Sequence, residues 1–423
     1  MLLAYSILVL LAALVVLPFY LLLELGSPET RRGWKERLGF VPCPPPSSAP
    51  RIWIQAVSVG EVQLARQLLV ELRSFRPDLG ALLTSTTAAG RKLALAADLP
   101  GTLVSAFPVD LPCCVGEALR RSRPDLVVLM ETEIWPHLIR RCSRNGIRIL
   151  VANGRISPQS FPRYRFFGTA MRELLRRVDR FLMQSEGDAG RILRLGAAPD
   201  RVEIAGNLKW DLPAPCEPAA DIRRDLGLAP DAPVLVAGST FQGEESLLLD
   251  AWTALRREFP TLGLVLAPRH PRRFERVAGL LAHRHIAFSR RSRSAGGFSP
   301  VLLLDTLGEL RRVYGAGTLC FVGGSLVSRG GQNLIEPAAA GRPVIFGPRT
   351  ENFSEAAAAL LCSSGGFRIS SSAELLAVAR RLLSEPGLCE ETGRRAAALV
   401  AKNRGATRRT AERILDHLPL RTS

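Results

Sequence analysis

The chain has 423 residues, 47% of them hydrophobic, and its 56 Lys and Arg outnumber 39 Asp and Glu to give a net charge of +17. The length predicts about two folded domains, the apolar content excludes global disorder, and eight cysteines without a C-x-x-C pair argue against a structural zinc site or a disulfide scaffold. The basic excess attracts anions, which leaves nucleic acid, anionic lipid or a phosphorylated substrate as the partner.

The first predicted element is an apolar membrane anchor helix over residues 1–24. No charged side chain precedes Glu24, and about 20 apolar residues suffice for a helix to cross a bilayer core. The match to a cleavable signal peptide is poor, so we expect a retained anchor. A basic cluster at 31–37 follows, which by the positive-inside rule places the rest of the chain in the cytoplasm and can also hold an anionic membrane surface. Whether the segment spans the bilayer or lies in its interface stays open.

Two α/β domains are predicted behind this segment. Residues 25–209, with a Pro/Ser linker at 41–50, alternate apolar runs and amphipathic stretches, which predicts parallel strands joined by crossover helices. The composition shifts to Pro, Ala and charged residues at 210–233, and the alternation then restarts, so a second domain is expected over 210–395. The Ala- and Arg-rich tail, 396–423, predicts a C-terminal helix. Two doubly wound domains would place ligands at the carboxyl ends of their strands, with a cleft between them.

Glu61 lies where the first predicted strand gives way to a helix. In "WIQAVSVGEVQLARQLLVELR" the strand ends near Val57, a tight turn follows, and apolar residues at helical spacing begin at Val62. Ser58-x-x-Glu61 fits a capping box, in which the carboxylate only satisfies backbone N–H groups at the helix start. The position also suits a general base at the carboxyl end of a strand, and the positive end of the helix favours its ionised form. Both interpretations stay open.

Two further carboxylates, Glu131 and Glu133, follow the apolar run "DLVVLM". On an extended chain, side chains two residues apart face the same way. One of them could be an N-cap or a salt-bridge partner. Both follow a run that should be buried in the sheet, however, and this favours a functional role.

The second half of the chain contains sequence motifs that are suited to binding anions. "PVLVAGSTFQGEE" runs from a strand through Ser239 and Thr240 into a helix, where hydroxyl and N–H groups can hold a phosphate. "GLVLAPRHPRRF" ends a strand at Arg269, whose guanidinium suits phosphate or carboxylate. Their recurrence after successive strands strengthens the prediction of an anion site.

The stretch "FVGGSLVSRGGQNLIEPAAAGRPVIFGP" combines four glycines with a short predicted helix. The glycines let the backbone approach a ligand closely. Pro337 suits the first position of a helix that ends at Gly341, and Glu336 can accept hydrogen bonds from sugar hydroxyls. We expect a nucleotide here. Helix termini and arginines can stabilise a leaving phosphate without a metal.

These segments resemble those of bacterial 3-deoxy-D-manno-octulosonic acid (Kdo) transferases. The matches run in family order from about residue 33 to 353: "GWKERLGF", "AVSVGE", "FPVDLP", "METEIWP", "NGRISPQSFPRY", "QSEGDAGRILRLGA", "GNLKWD", "GSTFQGEE", "APRHPRRF", "DTLGEL" and "FVGGSLVSRGGQNLIEPAAAGRPVIFGPRTENF". The resemblance implies the GT-B fold, two Rossmann-like domains facing an interdomain cleft. It also implies an inverting glycosyltransferase, without metal or cofactor, that moves Kdo from CMP-Kdo to a lipid A precursor at the cytoplasmic face of the cell inner membrane.

Carried over to the matching positions, the resemblance implies that Glu61 deprotonates the acceptor hydroxyl and that Glu133 lies beside it in the acceptor cleft. The donor-binding residues that it implies are Ser239, Thr240, Arg269, Gly324, Ser325, Asn333 and Glu336. This chain also departs from the family at four positions that often carry histidine: Gln55, Phe241, Gln332 and Arg349. These substitutions bear on the geometry of the donor contacts.

Two alternatives stay open. Another GT-B enzyme, using a UDP-sugar and a lipid acceptor, would share such loops, and a membrane-tethered protein could bind anionic lipid without chemistry. Nucleic acid is not an expected partner, because neither a P-loop nor a basic stretch interleaved with aromatic residues is present.

Overall fold

The structure, a computed structural model, describes residue 5 and residues 28–45, 48–131, 133–211, 217–293 and 299–419, without the side chains of 28–32. These residues form two compact units. The first comprises the chain up to Lys209 together with the residues from Gly405 onward, and the second is Trp210–Arg404. The predicted anchor over 1–24 lies outside the described residues apart from Tyr5. Among the helices within the described ranges, none combines the length and hydropathy of a bilayer-spanning segment.

The first unit is built on one parallel sheet. Its strands are β1 (Arg51–Ala56), β2 (Gly80–Ser85), β3 (Thr102–Ala106), β4 (Leu126–Met130), β5 (Arg148–Gly154), β6 (Arg180–Met183) and β7 (Val202–Ile204). They lie in the order β3-β2-β1-β4-β5-β6-β7, with every neighbouring pair parallel. The chain leaves β1 in one direction and returns to β4 on its other side, so these two strands form the topological switch point, where such sheets bind ligands.

The α-helices before and between these strands cover both faces of the sheet. They are α1 (Pro28–Arg37), α2 (Val59–Phe75), α3 (Ala88–Ala96), α4 (Pro112–Ser122), α5 (Pro136–Arg144), α6 (Phe161–Phe166), α7 (Gly168–Leu175) and α8 (Glu186–Leu195). Trp53 and Val127 belong to the core on one face, whereas Ile54 and Val128 belong to the core on the other. Both faces are buried, which explains why the strands read as continuous apolar runs.

The second unit repeats this architecture. Its strands are β8 (Val234–Thr240), β9 (Gly263–Pro268), β10 (Phe288–Arg290), β11 (Val301–Leu303), β12 (Leu319–Val322), β13 (Val344–Phe346) and β14 (Gly366–Arg368). They lie in the order β10-β11-β9-β8-β12-β13-β14, again with every neighbouring pair parallel. The switch point is therefore between β8 and β12. The prediction of two α/β units with parallel sheets is confirmed.

The α-helices of the second unit also lie on both faces of its sheet. They are α9 (Ala219–Asp225), α10 (Glu244–Glu258), α11 (Phe274–His283), α12 (Leu310–Val313), α13 (Ile335–Ala339), α14 (Ser354–Cys362), α15 (Ser372–Ser384) and α16 (Pro386–Asn403). Val236 and Val322 point into one core and Leu235 and Phe321 into the other, because successive side chains of a strand alternate between its faces.

The C-terminal region differs from the single helix predicted over 396–423. Helix α16 ends at Asn403, and a separate helix, α17 (Ala406–Leu415), follows Gly405, which takes a left-handed φ of 89°. Helix α17 returns to the first unit, where Gln67 Nε2 donates to Thr407 Oγ1 at 2.7 Å and Arg409 Nε donates to Ala205 O at 3.0 Å. The left-handed glycine breaks the helix, since a residue in that conformation cannot continue it.

Candidate active site

Three carboxylates, Glu61, Glu131 and Glu133, cluster at the switch point of the first sheet. Glu61 follows β1, and the other two follow β4. Their charges interact, because Glu131 raises the pKa of Glu61, and Glu61 and Glu131 both raise the pKa of Glu133. The structure thus brings together the acidic residues that the sequence singled out after two different strands.

Glu61 forms the capping box that its spacing predicts. Ser58 Oγ accepts from the Glu61 backbone N–H at 3.3 Å, Glu61 Oε1 accepts from Ser58 Oγ at 2.8 Å, and Oε2 accepts from Val57 N at 2.8 Å. The residue is 8% exposed. A carboxylate offers about four acceptor positions, and the box uses two of them. The cap therefore holds the carboxylate in one orientation without exhausting its capacity to accept a proton.

The pKa of Glu61 is raised, chiefly because burial disfavours the charged form. The N–H of Val57 opposes this shift and Glu131 adds to it. We predicted from the sequence that the helix start would favour the ionised form, but burial outweighs that effect. A raised pKa makes the carboxylate a stronger base than an ordinary surface glutamate.

Glu131 does not continue the extended chain of β4, contrary to the prediction from the sequence. Glu131 has a left-handed φ of 53°, and its N–H donates to Ala152 O at 2.9 Å. Lys209 Nζ lies 3.4 Å from Glu131 Oε1. Burial, and then repulsion from Glu61, raise the pKa of Glu133 to about 8. At neutral pH, the Glu133 carboxyl is therefore mostly protonated.

Replacing Glu133 with glutamine should change how stability depends on pH. The pKa of Glu133 is about 8 in the folded protein against a usual value of 4.5. Between pH 4.5 and pH 8, the folded protein therefore binds a proton that the unfolded chain does not. As the pH rises through this range, Glu133 lowers the stability of the folded protein. Glu133→Gln removes this effect. The free energy of unfolding of the variant, relative to wild type, should therefore increase from about pH 5 to about pH 8. Urea denaturation at several pH values measures this, and a constant difference would contradict it.

The second unit carries its own constellation at the switch point between β8 and β12. The glycine-rich segment 323–331 follows β12, and Gly323 packs so closely on β8 that a Cβ there would lie 2.4 Å from Ser239 O. Beyond it, Pro337 is the third residue of α13 rather than the first as predicted. A proline is tolerated there because the first N–H groups of a helix lack intrahelical partners.

Glu244, at the start of α10, organises this segment. Its buried carboxylate accepts hydrogen bonds at 2.8–3.1 Å from the backbone N–H groups of Phe241, Gly324, Ser325 and Leu326. Of these N–H groups, that of Phe241 belongs to the segment predicted to hold a phosphate, and it binds a carboxylate of the protein instead. The four hydrogen bonds fix the shape of the loop.

The predicted donor residues fall into two sets. Thr240, Gly324 and Ser325 are buried, and the Ser325 hydroxyl donates to Val322 O while it accepts from Gly347 N. These three residues lie in the frame of the loop, and their contacts with the donor stay a prediction.

The second set is at least partly exposed and consists of Ser239, Arg269, Asn333 and Glu336. Asn333 Oδ1 accepts from Ile335 N at 3.0 Å, and its amide donates to Glu336 Oε1 at 3.2 Å. Burial raises the pKa of Glu336, against the opposing charges of nearby arginines that include Arg269. An amide, a carboxylate and a guanidinium thus converge beside the glycine loop, a set that suits hydroxyl and anionic groups on one ligand.

Positive charge dominates the carboxyl end of β9. The pKa of His270 is lowered by burial and then by Arg269, Arg273, Arg329 and Arg272. Arg273 already pairs with Glu245 at 2.8 Å, and the other three guanidinium groups make this end of the strand attractive to an anion. Within the described residues, no group of three or more His, Cys, Asp or Glu side chains is arranged to hold a metal ion.

Comparison with known proteins identifies the family. A family model described as 3-Deoxy-D-manno-octulosonic-acid transferase (kdotransferase) matches residues 32–212. A 3-deoxy-D-manno-octulosonic acid transferase of Bordetella pertussis is 37% identical over 386 residues, 89% of this chain and 89% of that protein. One of Haemophilus influenzae is 34% identical and covers 98% of each chain. The chain belongs to the Kdo transferase family.

As a Kdo transferase, the protein is a glycosyltransferase, and neither of the two alternatives is favoured. Its fold is shared by the UDP-GlcNAc 2-epimerase of Neisseria meningitidis bound to UDP-GlcNAc, with a TM-score of 0.58 and 13% identity over 87% of this chain and 99% of that one. At this identity the likeness concerns the fold alone, which is GT-B-like with two parallel sheets.

Two of the four departures from the family's histidines lie beside Arg269 and His270 in the second unit of this Kdo transferase. Gln332 Oε1 accepts from Arg269 Nε at 3.0 Å and so orients that guanidinium. The Phe241 ring meets His270 edge-on at 5.4 Å, with Arg329 Cζ 5.7 Å from its centre. Both replacements therefore contact the basic cluster.

The other two departures play different parts. Gln55 is fully buried in β1, where its amide donates to Thr86 Oγ1 at 3.0 Å and its carbonyl accepts from Thr84 Oγ1 at 2.6 Å. The Arg349 backbone N–H donates to Ser325 O at 2.9 Å, which holds the far side of the glycine loop.

Sequence reasoning missed Glu244 in this Kdo transferase. Its segment, "GSTFQGEE", is among those that match the family. Acidic residues are common in the first turn of a helix, however, and the local sequence gives no reason to assign different roles to Glu244 and Glu245. The role of Glu244 becomes visible only in the folded chain, through its hydrogen bonds with residues 324–326.

Proposed function

We propose that this enzyme transfers Kdo from CMP-Kdo to a lipid A precursor in lipopolysaccharide biosynthesis. The observation that carries the proposal is the placement of both constellations. The acidic cluster lies at the switch point of one sheet, and the polar and basic set lies at the switch point of the other. Sheets of this kind bind ligands at these points.

In the proposed reaction, Glu61 accepts the proton of the acceptor hydroxyl. The acceptor oxygen forms a bond to the anomeric carbon of Kdo as the bond from that carbon to the phosphate oxygen of CMP breaks, and CMP leaves with the electron pair. This single displacement inverts the anomeric configuration. Burial, which raises the pKa of Glu61, increases its strength as the base.

The donor would bind the accessible set of the second unit. Arg269 and the neighbouring arginines suit the phosphodiester and the carboxylate of CMP-Kdo, and they can stabilise the leaving phosphate without a metal. Asn333 and Glu336 would hold hydroxyls of the CMP portion, and Ser239 offers a further hydroxyl at the same edge. Thr240, Gly324 and Ser325 would support this site as its frame.

The acceptor would bind the first unit, with Glu133 beside Glu61. A protonated Glu133 can donate a hydrogen bond to the acceptor sugar and adds no second negative charge next to the base. We further propose that the enzyme works at the cytoplasmic face of the inner membrane, where residues 1–24 would serve as its anchor and the basic cluster 31–37 would meet anionic lipid.

The released nucleotide tests this assignment. Purified full-length protein is incubated with lipid A precursor and either CMP-Kdo or a panel of UDP-sugars, and the nucleotide product is separated chromatographically. We expect acceptor-dependent release of CMP and no acceptor-dependent release of UDP. Acceptor-dependent UDP in the absence of CMP release would contradict the proposed donor.

A further inference from the structure

Two adjacent phenylalanines stand exposed on the first unit. Phe166, the last residue of α6, is 87% exposed, and Phe167, which joins α6 to α7, is 51% exposed. Their rings contact each other edge-on, with centroids 5.8 Å apart. Large apolar side chains that are exposed as neighbours mark an interaction site more often than single exposed residues do.

Helix α6 is fixed to the unit on its inner side, so this exposure belongs to an ordered segment. Phe161 and Tyr164 pack against the apolar core of that face, and Arg194 Cζ lies 4.7 Å from the centre of the Phe161 ring. The outer side carries the two phenylalanines together with the exposed Arg163 and Arg165.

These two arginines complement an anionic surface. Throughout the ranges that the structure describes, neither Arg163 nor Arg165 forms an ion pair with an acidic side chain. An apolar tip flanked by unpaired cations has the layered chemistry of a membrane interface, in which the rings enter the acyl boundary and the guanidiniums stay with anionic headgroups. A binding site for a protein partner would not require apolar side chains at the tip and cations beside them.

The same helix approaches the acidic cluster. Burial and then the charge of Glu133 raise the pKa of Tyr164, which places the tyrosine near that carboxylate. The exposed tip therefore begins two residues along the chain from a side chain that lies near Glu133. A lipid acceptor has its sugars at the membrane surface and its acyl chains below. A tip that enters the membrane two residues from Tyr164 would therefore hold the proposed acceptor site close to those sugars.

We propose that Phe166 and Phe167 insert into an anionic bilayer, with Arg163 and Arg165 on the headgroups, and so hold the acceptor site of the first unit against its lipid. This inference rests on the proposed function for the identity of the acceptor, whereas insertion itself is independent of it. The two parts are tested separately.

Insertion is tested with the full-length Phe166→Trp variant and vesicles of phosphatidylglycerol and phosphatidylcholine that contain brominated acyl chains. Wild type gives the background of the native tryptophans. The variant should show additional quenching, and Arg163→Gln/Arg165→Gln in the same background should reduce it on anionic vesicles. Quenching equal to wild type would overturn the proposal, as would full quenching on vesicles of phosphatidylcholine alone.

The consequence for transfer is tested with Phe166→Ser/Phe167→Ser. Its matched control is Val70→Ser/Leu95→Ser, which removes two side chains of the same unit that are 60% and 49% exposed. With acceptor in anionic vesicles, the first variant should lose at least about tenfold in rate and the control should match wild type. With acceptor dispersed in non-ionic detergent micelles, all three should agree.

Equal losses in vesicles and micelles would contradict a role for the tip at the membrane and point to a protein contact or to the site itself. If wild type transferred nothing in either medium, the proposed function would fail. The quenching experiment would still decide insertion in that case.

Discussion

Glu61→Gln should lower the rate of Kdo transfer by about 10²–10⁴-fold, the usual contribution of a general base. The amide has nearly the same shape, and it can still accept from Val57 N while the Ser58 hydroxyl turns to accept from it. It cannot take a proton from the acceptor. CMP-Kdo affinity, measured by calorimetry, should stay within a fewfold of wild type, and the loss should appear in single-turnover transfer.

The chain offers a matched control for this substitution in Glu374. Glu374 Oε2 accepts from Ser370 N and Oε1 from Ser370 Oγ, both at 2.8 Å, while its own N–H donates to Ser371 Oγ at 3.2 Å. This is a similar capping arrangement at another helix start, except that the hydroxyl belongs to the residue before the cap and that Glu374 is exposed. Glu374→Gln should weaken its helix cap slightly and leave transfer unchanged. If Glu61→Gln behaved like Glu374→Gln, Glu61 would be a cap and not a base.

Glu244→Gln should give the largest loss of stability of any substitution discussed. The carboxylate accepts from four backbone N–H groups. In the variant, one oxygen remains to accept, and the amide N–H₂ faces donors that it cannot satisfy. Disruption of such a buried charged network costs about 3–5 kcal/mol. Urea denaturation should show this loss, and calorimetry should show CMP affinity reduced by more than about tenfold, because the glycine loop loses its frame.

Asp250→Asn is the control for this substitution on the same helix. Asp250 pairs with Arg284 at 2.6 Å, but its side chain is 56% exposed. An exposed pair contributes about 0–1 kcal/mol, so this variant should unfold near the wild-type urea concentration. A Glu244→Gln variant as stable as Asp250→Asn would show that the four hydrogen bonds do not organise the loop.

The parallel sheets could be predicted from the sequence because their strands are buried on both faces and appear as uninterrupted apolar runs. "LVVLM" and "LCFV" are entirely buried in the structure. The turn geometry could not be predicted in the same way. Glu131 and Ser239 both have a φ of 53°, and a non-glycine residue in that conformation carries no marker in the sequence. The return of α17 to the first unit depends on tertiary packing, which also lies beyond local patterns.

For the candidate site, the position of a residue directly after a strand could be predicted from the sequence. The contacts that each residue makes in the folded chain could not. Strand ends pointed to Glu61, Glu133 and Arg269 as candidates, since parallel strands bring their carboxyl ends to one edge. Whether a residue of the loop faces a ligand or the interior depends on partners distant in the chain. Gly324 illustrates this, because its N–H is bonded to a carboxylate 80 residues away.

Mass spectrometry of the lipid A precursor after incubation with the full chain and CMP-Kdo tests the proposed reaction most directly. The acceptor should gain the mass of Kdo in step with the CMP released, and the Glu61→Gln sample should retain unmodified acceptor over the same period. An acceptor left unmodified by the wild-type enzyme, or modified equally by Glu61→Gln, would contradict Kdo transfer with Glu61 as its base.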